Sequence, residues 1–290
     1  MNIYEERIYQ EYRALLFSIA YRMLGSIPDA EDIVQDTFLA FFQQNAAHIQ
    51  NKKAFLCKIV TNLCIDTLRS ARIKREVYTG PWLPEPLVQG DPTDPLNQII
   101  VNDTLSISYL FLMENLSPTE RAVFILREAF DFNYREISEI VDKSELNCRK
   151  IFERGRKKLG SKSHETSLNN EKNQKLIIEF IQAFQQGDLK KVMGLISENV
   201  ILYSDGGGIV KAAINPITSR ERVLPFLLGV ASKAPRDLTT EIKRVNGEVG
   251  VVNMIKTAPH SVISFEVKEQ QIVNIFIILN PEKLNHLDLG

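Results

Sequence analysis

The proline-rich stretch YTGPWLPEP, residues 78–86, constrains the fold more than any other feature of the sequence. Its three prolines fix φ and remove backbone donors, so it cannot continue a helix. The apolar residues on both sides of it recur at helical spacing. A solvated linker has no need of a tryptophan, yet Trp82 is the only one in the chain. We therefore predict a stiff connector over 77–95 that docks its aromatic residue on folded structure.

The remaining chain divides by pattern. Helical spacing dominates residues 1–76 and 96–162, and a polar stretch at 163–174 reads as a second linker. Residues 175–290 begin with two helical patterns and continue with alternating runs, including two runs joined by an Asn-Gly pair that is typical of a hairpin. The predicted fold class is multidomain: two all-α domains followed by an α+β domain whose sheet is antiparallel.

Composition sets broad limits. The chain has 290 residues, 44% hydrophobic and 24% charged residues and a net charge of −1. No apolar run reaches the roughly 18 residues needed to span a bilayer, and the first residues are charged, so we expect a cytoplasmic protein with no membrane partner. Cys57, Cys64 and Cys148 stand singly among apolar neighbours, which favours core residues over a disulfide or zinc site. We predict no metal and no cofactor.

Two local basic segments stand out on this near-neutral chain. Residues 69–75 hold four basic residues in seven, and residues 149–158 hold six basic residues against Glu153 alone. Separated basic patches fit phosphate contacts at two places. Solvated helix faces would explain the same charge runs, and the charges alone do not decide between the two interpretations.

The segment 116–159 predicts a helix-turn-helix. Ser117 reads as an N-cap, a short helix follows, and a tight turn leads to a basic helix that begins at Ser144. The apolar residues of that last helix are Leu146, Cys148, Phe152 and Leu159. Its predicted DNA-binding residues are Ser144, Glu145, Asn147, Arg149, Lys150 and Arg154. An ordinary helical hairpin with a basic face is the alternative.

Three motifs together resemble a known family. DAEDIVQDTFLAFF (29–42), FLCKIVTNLCIDTLRSARIKRE (55–76) and the segment from residue 116 to 159 are similar to the bacterial sigma factors of the extracytoplasmic-function type. The resemblance implies a region 2 over 1–76 that binds core RNA polymerase and the −10 element, and a region 4 over 96–162 that reads the −35 element. We also expect Asp29 to cap the first of these motifs as a helix.

The resemblance assigns residues of region 2 to two surfaces. The core-polymerase surface is formed by Asp29, Asp32, Gln35 and Asp36. The −10 DNA surface is formed by Asn62, Arg69, Arg72 and Arg75. Asp66 shares the polar spacing of this DNA surface, but it can have a structural role and pair with an arginine one turn away.

A narrower resemblance covers the rest of the chain. One group of these sigma factors carries a fused SnoaL-like domain, of the nuclear transport factor 2-like fold, with WLPEP, DGGG and NPDKL-like motifs. Here the motif residues are Trp82, Leu83, Pro84, Glu85, Pro86, Asp205, Gly206, Gly207, Gly208, Asn280, Pro281, Glu282, Lys283 and Leu284. The resemblance implies that they form an interdomain regulatory contact; docking of Trp82 back onto a helical domain is the alternative.

Enzymatic function is not expected. Asp205, His260 and His286 are the candidate acid or base groups of the C-terminal domain, and no pair has a spacing that implies a shared site. The expected function is promoter-specific transcription initiation with core RNA polymerase and promoter DNA, regulated by the fused domain. A helix-turn-helix regulator with a small ligand in its C-terminal domain is the main alternative, and an enzyme with partner-binding helices is the second.

Overall fold

The computed structural model describes residues 3–44, 49–76, 78–88, 105–160 and 170–287. The chain forms two compact units, each built from two separate parts of the sequence. The first unit contains Met1–Val77 and Leu112–His164, and the second contains Tyr78–Phe111 and Glu165–Gly290. The segment after Val77 therefore belongs to the same unit as the C-terminal part of the chain. The helical pattern predicted to begin at residue 96 starts outside the described residues.

The first unit begins with three helices that pack on one another, α1 (Ile3–Leu24), α2 (Ile27–Gln43) and α3 (Lys52–Glu76). The prediction that Asp29 caps α2 is wrong. Ser26 is the N-cap, since its hydroxyl accepts from the backbone N–H of Asp29 at 3.4 Å and Pro28 follows within the first turn. A serine cap and an early proline start a helix more directly than an aspartate already inside it.

The chain continues with α4 (Ile107–Met113), most of which belongs to the second unit. The first unit then resumes with α5 (Pro118–Glu128), α6 (Tyr134–Val141) and α7 (Glu145–Leu159). Capping boxes start α5 at Ser117 and α6 at Asn133, and Ser144 caps α7. Asp142 has a φ of 51° and ends α6, which lets the chain turn within three residues into α7. The predicted helix, short helix, turn and basic helix are present with the predicted caps at Ser117 and Ser144.

The second unit places helices on one face of a twisted sheet. Its elements are α8 (Asn170–Gln186), α9 (Leu189–Leu195), β1 (Ile196–Asp205), β2 (Ile217–Thr218), α10 (Arg220–Ala231), β3 (Leu238–Val245), β4 (Glu248–Ile255), β5 (Ala258–Lys268), β6 (Gln271–Ile278) and a 3₁₀ turn (Pro281–Lys283). Among the described residues the strand order is β2-β1-β6-β5-β4-β3. The sheet is mixed and not purely antiparallel, because β1 runs parallel to β6.

Both faces of this sheet are covered. Side chains such as Phe180, Val223 and Phe265 fill the space between the helices and one face. The opposite face carries Phe276 and Val262, which pack against Leu83 of the proline-rich stretch. Burial on both faces explains the apolar run at the end of β6, where residues 275–278 are all buried. The proline-rich stretch is therefore part of the core of the second unit.

Two further observations concern the described part of the chain. None of its helices combines the length and apolar character that crossing a membrane requires. No group of three or more His, Cys, Asp or Glu side chains within the described ranges is placed to hold a metal ion.

Cys57, Cys64 and Cys148 are free and buried, which confirms their assignment as core residues. Burial raises the pKa of the Cys57 thiol to about 12.

Candidate nucleic-acid interface and linker-binding site

Contacts between α5 and α7 hold the helix-turn-helix together. Phe152 of α7 stacks on Phe124 of α5 with ring centroids 5.5 Å apart, and Gly155 of α7 faces the Leu116 and Phe124 side chains. Glu120, 5% exposed, receives Lys158 Nζ at 2.7 Å and Arg154 Nε at 3.3 Å. Burial acts to raise the pKa of Glu120, but the hydrogen bonds from Lys158 and Ser117 outweigh it and hold that pKa below its usual value.

The outer face of α7 carries the predicted DNA-binding residues. Ser144, Glu145, Asn147, Arg149, Lys150 and Arg154 are all exposed. They are not equivalent, because the Arg149 guanidinium lies over the Tyr134 ring at 4.5 Å and Arg154 pairs with Glu120. Leu146 differs from the other apolar residues of α7. It is 64% exposed, whereas Cys148, Phe152 and Leu159 are buried.

The predicted residues of α2 and α3 lie at the surface. Asp29, Asp32, Gln35 and Asp36 are exposed on one side of α2, beside the 60%-exposed Leu39. Asn62 of α3 is exposed, and Arg69 pairs with Asp66 at 3.0 Å, the local ion pair that the spacing allowed. The side chains of Arg72 and Arg75 lie outside the described residues.

The two helical parts of the first unit are joined by a buried arginine. Arg121 of α5 is 3% exposed and donates from Nη1 to the Met23 carbonyl of α1 at 2.7 Å. Its Nη2 pairs with Glu114 at 2.7 Å, and its Nε donates to the Met113 carbonyl at 3.0 Å. In addition, Lys53 of α3 lies over the Phe132 ring at 5.5 Å. The helix-turn-helix therefore packs directly on the first three helices.

Asp205 is the centre of the linker-binding site, which we define as Asp205, Asn280 and Lys283 with the linker residues Tyr78 and Leu83. Asp205 has no exposed surface, and its carboxylate accepts four hydrogen bonds. They come from Tyr78 Oη at 2.6 Å, the Leu83 backbone N–H at 2.8 Å, Lys283 Nζ at 2.8 Å and the Gly207 backbone N–H at 3.0 Å. One buried carboxylate thus ties the proline-rich stretch to the end of β1.

Lys283 completes the site from the other side. The 3₁₀ turn is capped by Asn280, whose Oδ1 accepts from the Glu282 N–H and whose Nδ2 donates to Tyr78 Oη at 3.1 Å. The turn aims Lys283 at Asp205 and at the Leu83 carbonyl. The Lys283 ammonium also lies over the Trp82 ring at 4.1 Å. The NPEKL motif is therefore a capped turn that delivers one buried cation.

Each of the three positions after Asp205 requires glycine for its own physical reason. Gly207 and Gly208 have φ of 63° and 74°, which disfavours any other residue. A Cβ on Gly206 would lie 2.8 Å from the Ala212 Cβ, and one on Gly208 would lie 3.2 Å from Thr79 Oγ1 in the linker. The DGGG motif therefore allows the chain to turn tightly beneath Tyr78 and Thr79.

The docked segment continues beyond the proline-rich stretch. Leu87 exchanges two hydrogen bonds with Asn246 of the β3–β4 turn, at 2.9 and 2.7 Å, and Val88 forms a β-bridge with Val245. His286 Nε2 donates to the Pro86 carbonyl at 2.9 Å. Sequence reasoning missed Asn246 and His286 as linker partners. In the sequence, Asn246 is marked only by the Asn-Gly hairpin, and His286 only by its position three residues after Lys283.

The remaining residues of the three motifs differ in burial. Leu83, Pro84, Glu85 and Pro86 are buried in the docked segment, whereas Trp82 is half-buried. Leu284 is buried beside Leu83, and the side chains of Pro281 and Glu282 are exposed. The candidate acid and base groups do not converge, because Asp205 serves the linker, His260 is exposed on β5 and His286 binds Pro86.

Comparison with known proteins agrees with this architecture. The family model for Sigma-70 region 2 matches residues 8–73, and that for Sigma-70 region 4 matches residues 107–159. The ECF RNA polymerase sigma factor SigJ of Mycobacterium tuberculosis is 29% identical over 286 residues, which cover 95% of this chain and 91% of SigJ. The chain belongs to the ECF RNA polymerase sigma factors. The predicted family is confirmed, and so is the predicted role as an alternative sigma factor in transcription initiation.

The likeness extends through the C-terminal domain. The crystal structure of M. tuberculosis SigJ superposes with a TM-score of 0.81 at 27% identity, covering 97% of this sigma factor and 99% of that chain. The probable sigma factor SigI of the same organism is 26% identical over 287 residues, 96% of this chain and 94% of SigI. The predicted fold class, two all-α sigma domains followed by an α+β domain, is confirmed.

Proposed function

We propose that this sigma factor directs promoter-specific transcription initiation with core RNA polymerase and is restrained by its own C-terminal domain through the linker between regions 2 and 4. The observation that carries the regulatory part is the buried Asp205–Lys283 pair, which binds the linker backbone on both sides of Leu83. A linker that merely spanned two domains would have no buried ion pair devoted to it.

The DNA-binding part of the proposal assigns roles by exposure and partner. Asn147 and Lys150 lie on the open face of α7, where side chains near the helix start contact base edges. Arg154, already paired with Glu120, suits a backbone phosphate. In α3, the exposed Asn62 suits a base edge of the −10 element, and Arg69 suits a phosphate.

The polymerase-binding part rests on α2. Its exposed side presents Asp29, Asp32 and Asp36 beside Gln35, with the apolar Leu39 at the end of the same surface. An acidic surface with an apolar residue complements a basic protein partner in both charge and burial. We therefore assign this side of α2 to core RNA polymerase.

The energetics of linker release support regulation by an all-or-none step. Lifting residues 78–88 off the domain would leave Asp205 and Lys283 without their linker partners and would expose Leu83 and Val88. Each orphaned buried polar group costs about 1–3 kcal/mol, and each exposed apolar side chain about 1.5–3 kcal/mol. The linker is therefore expected to be docked or released as one piece, as the fused counterpart of a separate anti-sigma protein.

A transcription assay on the full chain tests the regulatory proposal. Asp205→Ala removes the linker acceptor, and Glu179→Ala removes a surface ion pair of the same 2.8 Å length in the same unit. With core polymerase and a promoter selected from a random library, we expect Asp205→Ala to raise output several-fold over wild type and Glu179→Ala to leave it unchanged. Equal or lower output from a folded Asp205→Ala protein would show that the linker contact does not restrain activity.

A pull-down with core RNA polymerase separates the main proposal from a helix-turn-helix regulator with a small ligand. The sigma factor is expected to bind core polymerase, and replacing Asp32 and Asp36 with Lys is expected to abolish that binding. The ligand alternative has weaker support, since apolar side chains such as Phe180, Val223 and Phe265 fill the space between helices and sheet. Retention of DNA binding without polymerase binding would favour the regulator.

A further inference from the structure

Leu146 is an apolar side chain in an unexpected place. It is 64% exposed, in the first turn of α7, while the other apolar residues of this helix are buried. Single exposed leucines are common on protein surfaces and carry no meaning by themselves. The position of this one within the helix is what sets it apart.

The geometry of α7 places Leu146 at the middle of its outer face. Cys148, Ile151, Phe152, Gly155 and Leu159 form the buried side. At 3.6 residues per turn, Leu146 and Lys150 each lie about 160–200° around the helix from Cys148. Leu146 therefore points directly away from the domain core, one turn before Lys150.

The charge around Leu146 identifies what covers it. The exposed side of α7 carries Arg149, Lys150, Arg154 and Lys157 together with the acidic Glu145 and Glu153, so positive charge predominates. A protein surface that buried the leucine would have to bury or neutralise these cations as well, whereas duplex DNA supplies phosphates for them along both edges of the major groove. The charge pattern favours DNA as the occupant.

We propose that Leu146 is a specificity-determining residue that packs on the C5-methyl group of a thymine in the −35 element. The proposal rests on the assignment of α7 to promoter reading. Thymine alone among the four bases presents a methyl group in the major groove, and apolar side chains contact it there. Asn147, the next residue, is of the type that pairs with adenine, so the two residues together select an A·T-containing step.

Removing the methyl group from DNA tests the proposal without unfolding the protein. The −35 element is first selected from a random library by wild-type protein with core polymerase. Each thymine of the selected duplex is then replaced, one at a time, by deoxyuridine, which lacks only the methyl group. Binding is measured for wild type and Leu146→Ala. Lys157→Ala serves as a control that is expected to weaken binding to every duplex equally.

One deoxyuridine substitution is expected to weaken wild-type binding about three- to fivefold, the effect of one buried methyl group. Leu146→Ala is expected to bind the thymine and deoxyuridine duplexes equally. Because Leu146 is exposed, this variant keeps its fold, and circular dichroism checks that it does.

The remaining outcomes each overturn a specific statement. A selected element without any methyl-sensitive thymine, or equal methyl sensitivity in wild type and Leu146→Ala, would refute the role of Leu146 and leave promoter reading by α7 intact. A Leu146→Ala protein that loses binding to core polymerase alone would assign the leucine to the polymerase. Failure to select any −35 sequence would refute the promoter-reading function itself.

Discussion

Breaking the Asp205–Lys283 pair should destabilise the second unit far more than breaking a surface pair of the same length. Asp205 is fully buried and Lys283 is 5% exposed, with 2.8 Å between Oδ2 and Nζ. Asp205→Ala leaves a buried ammonium without its counter-ion, which typically costs about 3–5 kcal/mol. That loss is a large share of the 5–15 kcal/mol that holds a typical domain folded.

The sole tryptophan makes this measurement specific. Trp82 lies against Lys283, so its fluorescence during urea unfolding reports the linker-binding site. The matched control is Glu179→Ala, which removes a 2.8 Å pair with Lys191 that is about half exposed on both sides. We expect that control to cost less than about 1 kcal/mol, because water screens exposed pairs.

A graded variant tests the hydrogen-bond part of the reasoning. Tyr78→Phe removes only the hydroxyl that donates to Asp205 at 2.6 Å and accepts from Asn280. It should cost about 1–2 kcal/mol, between the surface control and Asp205→Ala. The reasoning is refuted if Asp205→Ala and Glu179→Ala lower the free energy of unfolding equally, or if Trp82 emission melts separately from the rest of the unit.

Two further predictions concern glycine substitutions and the effect of pH. Gly207→Ala should destabilise the second unit by about 2 kcal/mol, because φ is 63° and the new Cβ would lie 2.6 Å from the buried Asn280 Cγ. Gly229→Ala should instead stabilise it by about 0.5–1 kcal/mol, because Gly229 lies in helix α10 with open space around it. Thermal unfolding measures both effects. Burial and the neighbouring Glu266 raise the pKa of Glu248 from 4.5 to about 7, so ionisation of Glu248 destabilises the folded state. This loss of stability is absent below about pH 4.5 and complete above about pH 7. At about 1.4 kcal/mol per pKa unit the cost is at most roughly 3–4 kcal/mol, and partial exposure of Glu248 reduces it to about 1–2 kcal/mol. Glu248→Gln should therefore stabilise the protein at pH 8 and not at pH 4.5; an equal gain at both values would contradict this, and the exposed Glu241→Gln is the control.

Local chemistry explains which elements were predictable. Ser117 and Ser144 cap helices that the sequence marks by cap, proline and apolar period, and each needs only residues within one turn. The prediction for α2 was wrong by three residues, because Ser26 lies inside GSIPD and was taken as part of the break. The parallel pairing of β1 with β6 joins strands about 70 residues apart in the chain, a distance at which no periodicity reports pairing.

The exposure of Leu146 has a related reason. A leucine in an amphipathic helix is usually buried, but its neighbours in the fold decide which side of the helix meets the core. Here the buried side is set by Phe124 and Leu116, which contact Phe152 and Gly155 of α7. Leu146 lies on the other side, where an apolar residue has value only to a binding partner.

The sequence by itself determined the family, the order of the domains and the fact that YTGPWLPEP is stiff and carries apolar surface, because prolines, caps and motifs act locally. Only the tertiary structure decided where that surface lies. Asp205 and Lys283 are separated by 78 residues from each other and by more than 120 from Leu83, and folding brings all three within hydrogen-bond distance. A buried charge is tolerated only with its partner in place, so the site exists when all three segments meet and not before.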